Sequence, residues 1–389
     1  MKFSNKYGTE KPSIFMELIN EKNKIIKEGR EVFDLSIGTP DFKPEGYIME
    51  AVSKAALDPE NYKYGITDKP ELVSAVADWY KSRYNVELKA ENITSVNGSQ
   101  EGIAHICFPL INEGDIVLVP DPGYQIFSFG PEMAGAEIVK MPLLKENDFL
   151  IDFDAIPEET AKKAAVMIVS YPSNPTTAKA DRAFYRRLVN FAKKYDIIVI
   201  HDNAYSELVY EGEPGGSFLE TEGAFDVGIE FNSLSKSYNL TGLRLSFAIG
   251  NADIISRFKA FRSQIDYGIS GLVQTAAVAA LRGDKESTSK LRESYKQRRD
   301  FLYTELNKIG WKVPKSPATM FMWLPKPKTY KTSMDFCMDL LYKTGVVLVP
   351  GNTFGELGEG FVRLALVLPV EKLQTAVDRI KNSGINLEV

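Results

Sequence analysis

The sequence predicts an α/β protein built on a doubly wound, mostly parallel sheet. Between residues 92 and 250, short apolar segments alternate with amphipathic helical ones, the order that βαβ units produce. Several of those segments are almost continuously apolar, as strands buried on both faces of a parallel sheet must be. After about residue 283 the texture changes to a long charged helix followed by isolated strand-like segments.

In chain order, strands are expected at 93–96, 116–120, 166–170, 197–201, 227–232 and 245–249. Between the third and fourth, residues 181–195 place Phe184, Leu188, Phe191 and Ala192 at helical spacing with basic residues elsewhere. That is a crossover helix joining parallel strands. Beyond the sheet, a helix is expected at 287–308, strands at 320–324, 346–349 and 362–366, and a last helix at 370–381. The expected organisation is an N-terminal arm over 1–45, a large domain over 46–283 and a smaller α+β domain over 284–389. The arm is too short to fold alone, so it is expected to pack on the small domain or on a partner subunit. No internal repeat or low-complexity linker interrupts the chain.

The 389 residues, 44% hydrophobic and 25% charged, suffice for a large core and more than one domain. A net charge of −5 without a run of basic residues argues against nucleic acid or a membrane surface as partner. The first residues lack the apolar stretch of a signal peptide, and no apolar run reaches the ~18 residues of a membrane helix. Cys107 and Cys337 are far apart in apolar contexts, so buried thiols and a cytoplasmic address are expected. The only histidines, His105 and His201, have no second histidine at ligand spacing, so no metal site is expected. There is no Gly-x-Ser-x-Gly elbow, no Gly-x-Gly-x-x-Gly and no Walker-type loop.

Ligands of open α/β sheets bind outside the carboxyl ends of the strands, and those ends carry the polar residues here. Gly98-Ser99-Gln100-Glu101-Gly102 opens an apolar helix, whose free N–H groups and Ser99 hydroxyl make an anion site; Ser99 also suits a helix N-cap. Pro120-Asp-Pro-Gly-Tyr124 presents an aromatic ring from a turn, a surface on which a flat heterocycle could stack. Ser170-Tyr-Pro-Ser-Asn174-Pro-Thr-Thr holds an amide between two prolines. His201-Asp202-Asn-Ala-Tyr205 brings a carboxylate out of a buried strand. That carboxylate must meet a positive partner or shift its pKa, unless it caps a following helix.

The last end is Asn232-Ser-Leu-Ser-Lys236-Ser-Tyr-Asn-Leu-Thr-Gly-Leu-Arg244. A lysine at the mouth of a buried strand is poorly hydrated, which makes its amine nucleophilic toward a carbonyl carbon. The two serines flanking the lysine, Ser235 and Ser237, with Arg244 are what a phosphate needs nearby. An aldehyde and a phosphate on one molecule point to pyridoxal 5′-phosphate (PLP). The run alone also fits a surface loop with a solvated lysine.

The joint order is an anion-binding turn, an aromatic, an asparagine loop, Asp-x-x-Tyr, then Ser-x-Ser-Lys with an arginine eight residues on. It resembles the class I/II aminotransferases, PLP enzymes of fold type I with an aspartate aminotransferase-like fold. Ser36-Ile-Gly38-Thr-Pro-Asp-Phe, Tyr62-Lys-Tyr64-Gly and Gly360-Phe-Val-Arg363-Leu-Ala extend the resemblance over nearly the whole chain. The resemblance implies that Lys236 holds PLP as an internal aldimine and that Asp202 pairs with the ring nitrogen. It further implies that Tyr205 and Asn174 bind the ring hydroxyl and that Tyr124 stacks on the ring. Ser99, Gln100, Ser233, Ser235 and Arg244 would hold the phosphate, with Tyr64 reaching in from a second subunit. Arg363, helped by Gly38 and Asn174, would grip the substrate carboxylate, a task suited to a planar fork. A homodimer with shared sites is implied.

The implied reaction moves an amino group between an L-amino acid and a 2-oxo acid, with glutamate and 2-oxoglutarate as one pair. Lys236, Asp202 and Tyr205 are the implied catalytic residues, and ping-pong kinetics are expected. Asp121-Pro-Gly-Tyr, Asp226-Val-Gly-Ile-Glu-Phe, Ser233-Leu-Ser-Lys-Ser-Tyr-Asn and Gln264-Ile-Asp-Tyr-Gly look most like LL-diaminopimelate aminotransferases within the family. Leu243, Thr177, Asp68 and Ala318 depart from the family pattern, at positions where relatives usually carry tryptophan (Leu243) or glycine. Aspartate, alanine, glutamate and aromatic donors therefore stay open beside LL-diaminopimelate. A C–S β-lyase on the same fold is the alternative, because its cofactor residues would be identical. A PLP-binding regulator would need a DNA-binding module, and only about 35 residues precede Ser36.

Overall fold

The computed structural model describes residues 14–212 and 215–389. The chain divides into two compact units. One contains the described residues up to Gly38 with Gln297–Ser316 and Phe321–Val389, the other Thr39–Lys296 with Pro317–Met320.

Twelve strands occur among the described residues: β1 (Phe33–Asp34), β2 (Ile93–Val96), β3 (Ile116–Asp121), β4 (Glu137–Pro142), β5 (Ala164–Ser170), β6 (Ile198–Asp202), β7 (Gly228–Ser233), β8 (Ser246–Gly250), β9 (Phe321–Pro325), β10 (Val346–Val347), β11 (Val349–Pro350) and β12 (Phe361–Ala365). In the larger unit β2 to β8 form one sheet of order β2-β8-β7-β6-β5-β3-β4. All its pairings are parallel except those of β8, which runs antiparallel to both β2 and β7.

Alternating side chains of these strands feed two cores. Leu118, Met167, Val169 and Val199 join Tyr80, Phe184, Leu188 and Phe218 on one face. Val117, Val119, Ile168, Ile200 and Phe231 join Ile103, Phe127 and Phe258 on the other. Each such aliphatic side chain contributes about 1.5–3 kcal/mol by leaving water. The helix Arg182–Tyr195 starts where Asp181 accepts the Phe184 N–H at 2.7 Å, and it buries Phe184, Tyr185, Leu188, Val189 and Ala192. In this sheet the strand not foreseen is β4. Glu137-Ile-Val-Lys-Met-Pro142 lies at the sheet edge and is only partly buried, so it lacks the continuous apolar signal of a central strand.

In the smaller unit β1 pairs with β10 in parallel, and β11-β12-β9 form an antiparallel sheet. The single strand expected at 346–349 is therefore split between two sheets. Leu18 and Ile25 of the helix Ile14–Lys27 pack with Leu341 and Val347. The helix Ser333–Thr344 opens on a capping box in which Thr332 Oγ1 accepts the Asp335 N–H and Asp335 Oδ2 accepts the Thr332 N–H, each at 3.0 Å.

Candidate active site

Parallel register aligns the carboxyl ends of the central strands. Ser170 of β5 lies opposite Asp202 of β6, and Asp202 opposite Phe231 of β7. Antiparallel β8 brings Ser246 opposite both Ser233 and Val96. Three distant segments, at Val96-Asn-Gly-Ser99, Ser233-Leu-Ser-Lys236 and Arg244 to Ser246, thus converge on one rim.

At this rim the helix Ser99–Leu110 begins, and its cap is Gly98, not Ser99. Gly98 has φ +90° and ψ 150°, a conformation nearly reserved for glycine. The freed Ser99 hydroxyl donates to Ser246 Oγ at 3.1 Å. A β-carbon on Gly98 would lie 2.2 Å from Arg244 Nη2, so the guanidinium covers the start of that helix. Arg244 itself sits at φ +52°, with Nη1 donating to Thr241 O at 2.9 Å. Ser233 caps the helical turn Leu234–Ser237 by accepting the Ser235 N–H at 3.1 Å. Hydroxyls, backbone N–H groups at a helix start and a guanidinium are the donor set for a phosphate. Ser246 was missed by sequence reasoning, as was the capping role of Gly98, for which the Asn97-Gly98 pair was the available signal.

Lys236 occupies the third position of its turn and is half-buried. Asp202 is buried. Its Oδ1 has no hydrogen-bond partner among the described residues, while the carboxylate takes the Ala204 N–H. Burial pushes the Asp202 carboxyl up to about 6, against the pull of the neighbouring His201 charge and the Ala204 N–H. No helix follows Asp202, so it caps none. A buried carboxylate with a spare oxygen suits a protonated ring nitrogen. Together with the phosphate donors, it makes these residues fit PLP.

Tyr124 donates its hydroxyl to Gln100 Oε1 at 3.0 Å, linking two predicted site residues. Asn174 and Tyr205 are buried, in the loops after β5 and β6. Tyr64 is exposed, and its ring centre lies 4.9 Å from that of Tyr267.

Gly38 and Arg363 belong to the smaller unit. The Arg363 guanidinium lies 4.3 Å from the centre of the Phe321 ring and 4.6 Å from that of Phe354, and Nη2 donates to Ser36 O at 2.8 Å. A β-carbon on Gly38 would meet Phe321 at 2.6 Å, so glycine lets the 36–38 segment approach the ring that stacks on Arg363.

Residues 30–380 match the model of the family described as aminotransferase class I and II. The chain belongs to this family. The LL-diaminopimelate aminotransferase of Aquifex aeolicus is 43% identical over 383 residues, 98% of either chain. Substrate-bound BacF from Bacillus subtilis is 38% identical with a TM-score of 0.96, over 99% of each chain. A single mutant of Thermus thermophilus aspartate aminotransferase, 24% identical, shares the fold with a TM-score of 0.91 over 98% of this chain and all of that one. The protein is thus a PLP-dependent aminotransferase with the fold type I, aspartate aminotransferase-like architecture.

Proposed function

We propose that this aminotransferase takes LL-diaminopimelate as one substrate and 2-oxoglutarate with glutamate as the other pair. The support for the substrate is the similarity, over 98% of both chains, to a relative that bears that name. For the site, the observation that carries the reading is the spare buried oxygen of Asp202 at the rim that also holds Lys236.

PLP, when bound, supplies an electron sink for the substrate's α-carbon. In this reading Lys236 would be the residue that holds the cofactor, and its amine, once displaced by the donor's amino group, would move the donor's α-proton. Asp202 would keep a proton on the ring nitrogen, Tyr205 and Asn174 would bind the ring hydroxyl, and Tyr124 would stack on the ring. Ser99, Gln100, Ser233, Ser235 and Arg244 hold the phosphate. Arg363, helped by Gly38 and Asn174, would take the substrate carboxylate.

A homodimer with Tyr64 donated across its interface is part of the proposal. Leu57, Tyr64 and Ile66 are 87%, 79% and 71% exposed, with Tyr62, Ile265 and Tyr267 also open to solvent. Such apolar groups together favour a second copy over water. The free buried thiols Cys107 and Cys337 support a cytoplasmic address. No helix among the described residues is long and apolar enough to cross a membrane.

The test is the near-visible spectrum of the purified protein with a panel of donors. LL-diaminopimelate should bleach the cofactor band, and 2-oxoglutarate should restore it with glutamate formed. Bleaching by aspartate or an aromatic donor alone would reassign the substrate. Pyruvate and thiol release from cystathionine would instead favour the lyase chemistry. Lys236→Ala should abolish borohydride trapping of the cofactor on the protein.

A further inference from the structure

Behind the strand end that carries Asp202 lies a second polar cluster. His201 of β6 and Glu230 of β7 stand opposite each other in parallel register, and both side chains are fully buried. Glu230 Oε1 accepts the Tyr80 hydroxyl at 2.7 Å and the Ser217 hydroxyl at 2.9 Å. Its Oε2 accepts the Phe218 N–H at 2.9 Å and faces His201 Nδ1 at 3.0 Å. Three other donors leave no call for a proton on Glu230, so it stands as a carboxylate and Nδ1 must donate to it. On the far side, His201 Nε2 lies 3.3 Å from the Tyr185 oxygen. That hydroxyl also lies 3.4 Å from Tyr171 O, so with its proton on Tyr171 O the Tyr185 oxygen is free to accept from Nε2.

Two buried charges cost several kcal/mol of lost hydration each unless matched, and a hydrophobic pair would fill the same space. The cluster abuts the site through the chain itself, because the next residue after His201 is Asp202. Strand alternation sends the two side chains to opposite faces of the sheet. We propose that Glu230 holds His201 as an imidazolium, with Nε2 donating to the Tyr185 oxygen, and that this ion pair keeps Asp202 ionised, making His201 and Glu230 positioning residues for the ring-nitrogen contact. The proposal rests on Asp202 being the partner of the ring nitrogen. The His201 charge stabilises the Asp202 carboxylate, and it outweighs the opposing push of the more remote Glu230. The other groups facing the pair are Tyr80 and Tyr84 from the helix Pro70–Tyr84, Tyr185 from Arg182–Tyr195, Tyr171 after β5, and Glu220 from the turn Phe218–Glu220. The four tyrosines are held neutral by burial, which leaves His201 as the adjoining cation.

The test is cofactor affinity of the full-length chain, stripped of PLP and titrated spectroscopically from about pH 5 to about pH 9. The parent should lose affinity on the acid side as Asp202 takes up a proton, and Asp202→Asn should remove that limb. His201→Asn keeps a donor where Nδ1 was but carries no charge, so it should move the acid limb upward by about one pH unit. Tyr185→Phe removes only the acceptor for Nε2 and should move the limb the same way, which keeps the test alive if His201→Asn fails to fold. The phosphate's own titration is common to all variants and drops out of the differences. A merely structural role would lower melting temperature and leave the limb in place. A limb unmoved in the folded variants, but abolished by Asp202→Asn, overturns this inference alone. A limb that survives Asp202→Asn overturns the ring-nitrogen reading as well.

Discussion

Gly98 lies so close to Arg244 that a β-carbon on the glycine would sit 2.2 Å from Nη2. The glycine is required twice: by its φ of +90° and by the guanidinium that occupies the space of a side chain. Gly98→Ala is expected to cost about 1–3 kcal/mol of stability and to lower PLP affinity about tenfold or more by displacing a phosphate donor. Thermal melts and a spectral titration check both. In an Arg244→Ala background the stability cost should shrink, because the clash is gone while the backbone strain remains.

Asp68, where relatives usually carry glycine, holds the sheet's edge. Its Oδ2 accepts the Ser95 N–H at 2.9 Å and its Oδ1 accepts the Ser95 hydroxyl. β2 is an edge strand and Ser95 is buried, so water cannot replace these bonds. Asp68→Gly should therefore lower stability by about 1–3 kcal/mol, read as a shift in the denaturant midpoint with an unchanged slope.

The Asp202 carboxyl, at about 6 in the folded chain against 3.8 ordinarily, retains a proton that the unfolded chain has released. The stability that Asp202 itself contributes to the cofactor-free protein is therefore fully present below about pH 4 and is lost as pH rises to about 6, by about 3 kcal/mol. Asp202→Asn should raise the melting temperature of the cofactor-free protein at pH 8 while reducing transamination at least a hundredfold. Melts across pH, with and without PLP, check the sign.

Arg363→Lys keeps the charge but loses the planar fork and the stacking between Phe321 and Phe354. The KM for the amino donor is expected to rise about 10–100-fold, with PLP affinity unchanged. Steady-state kinetics beside a cofactor titration separate the two.

Much of the larger unit could be read from the chain because its central strands are buried on both faces and so run apolar without interruption. β4 could not, since an edge strand keeps charged and half-exposed residues. Thr177 is another case. The turn puts it at φ +64°, between the Thr177 N–H bond to Ser173 O at 3.0 Å and the Ser173 N–H bond to Ala178 O at 2.8 Å. The usual glycine of relatives suits that conformation. The departure thus falls at a strained backbone position, which residue type alone did not reveal.

By itself the sequence determined the alternating α/β order and the chemistry at each strand end: a lysine, an aspartate, hydroxyls and an arginine. Those are local properties, written in apolar periodicity and residue type. The tertiary structure decided which ends meet. Antiparallel β8 carries Ser246 between β2 and β7, and Gly98 yields its side-chain space to Arg244. Register sets His201 against Glu230, within a cluster that also draws on Tyr80, Tyr185 and Ser217. No spacing along the chain encodes the bond of Tyr80 to Glu230, 150 residues apart, because it forms only where the helix Pro70–Tyr84 packs on the sheet.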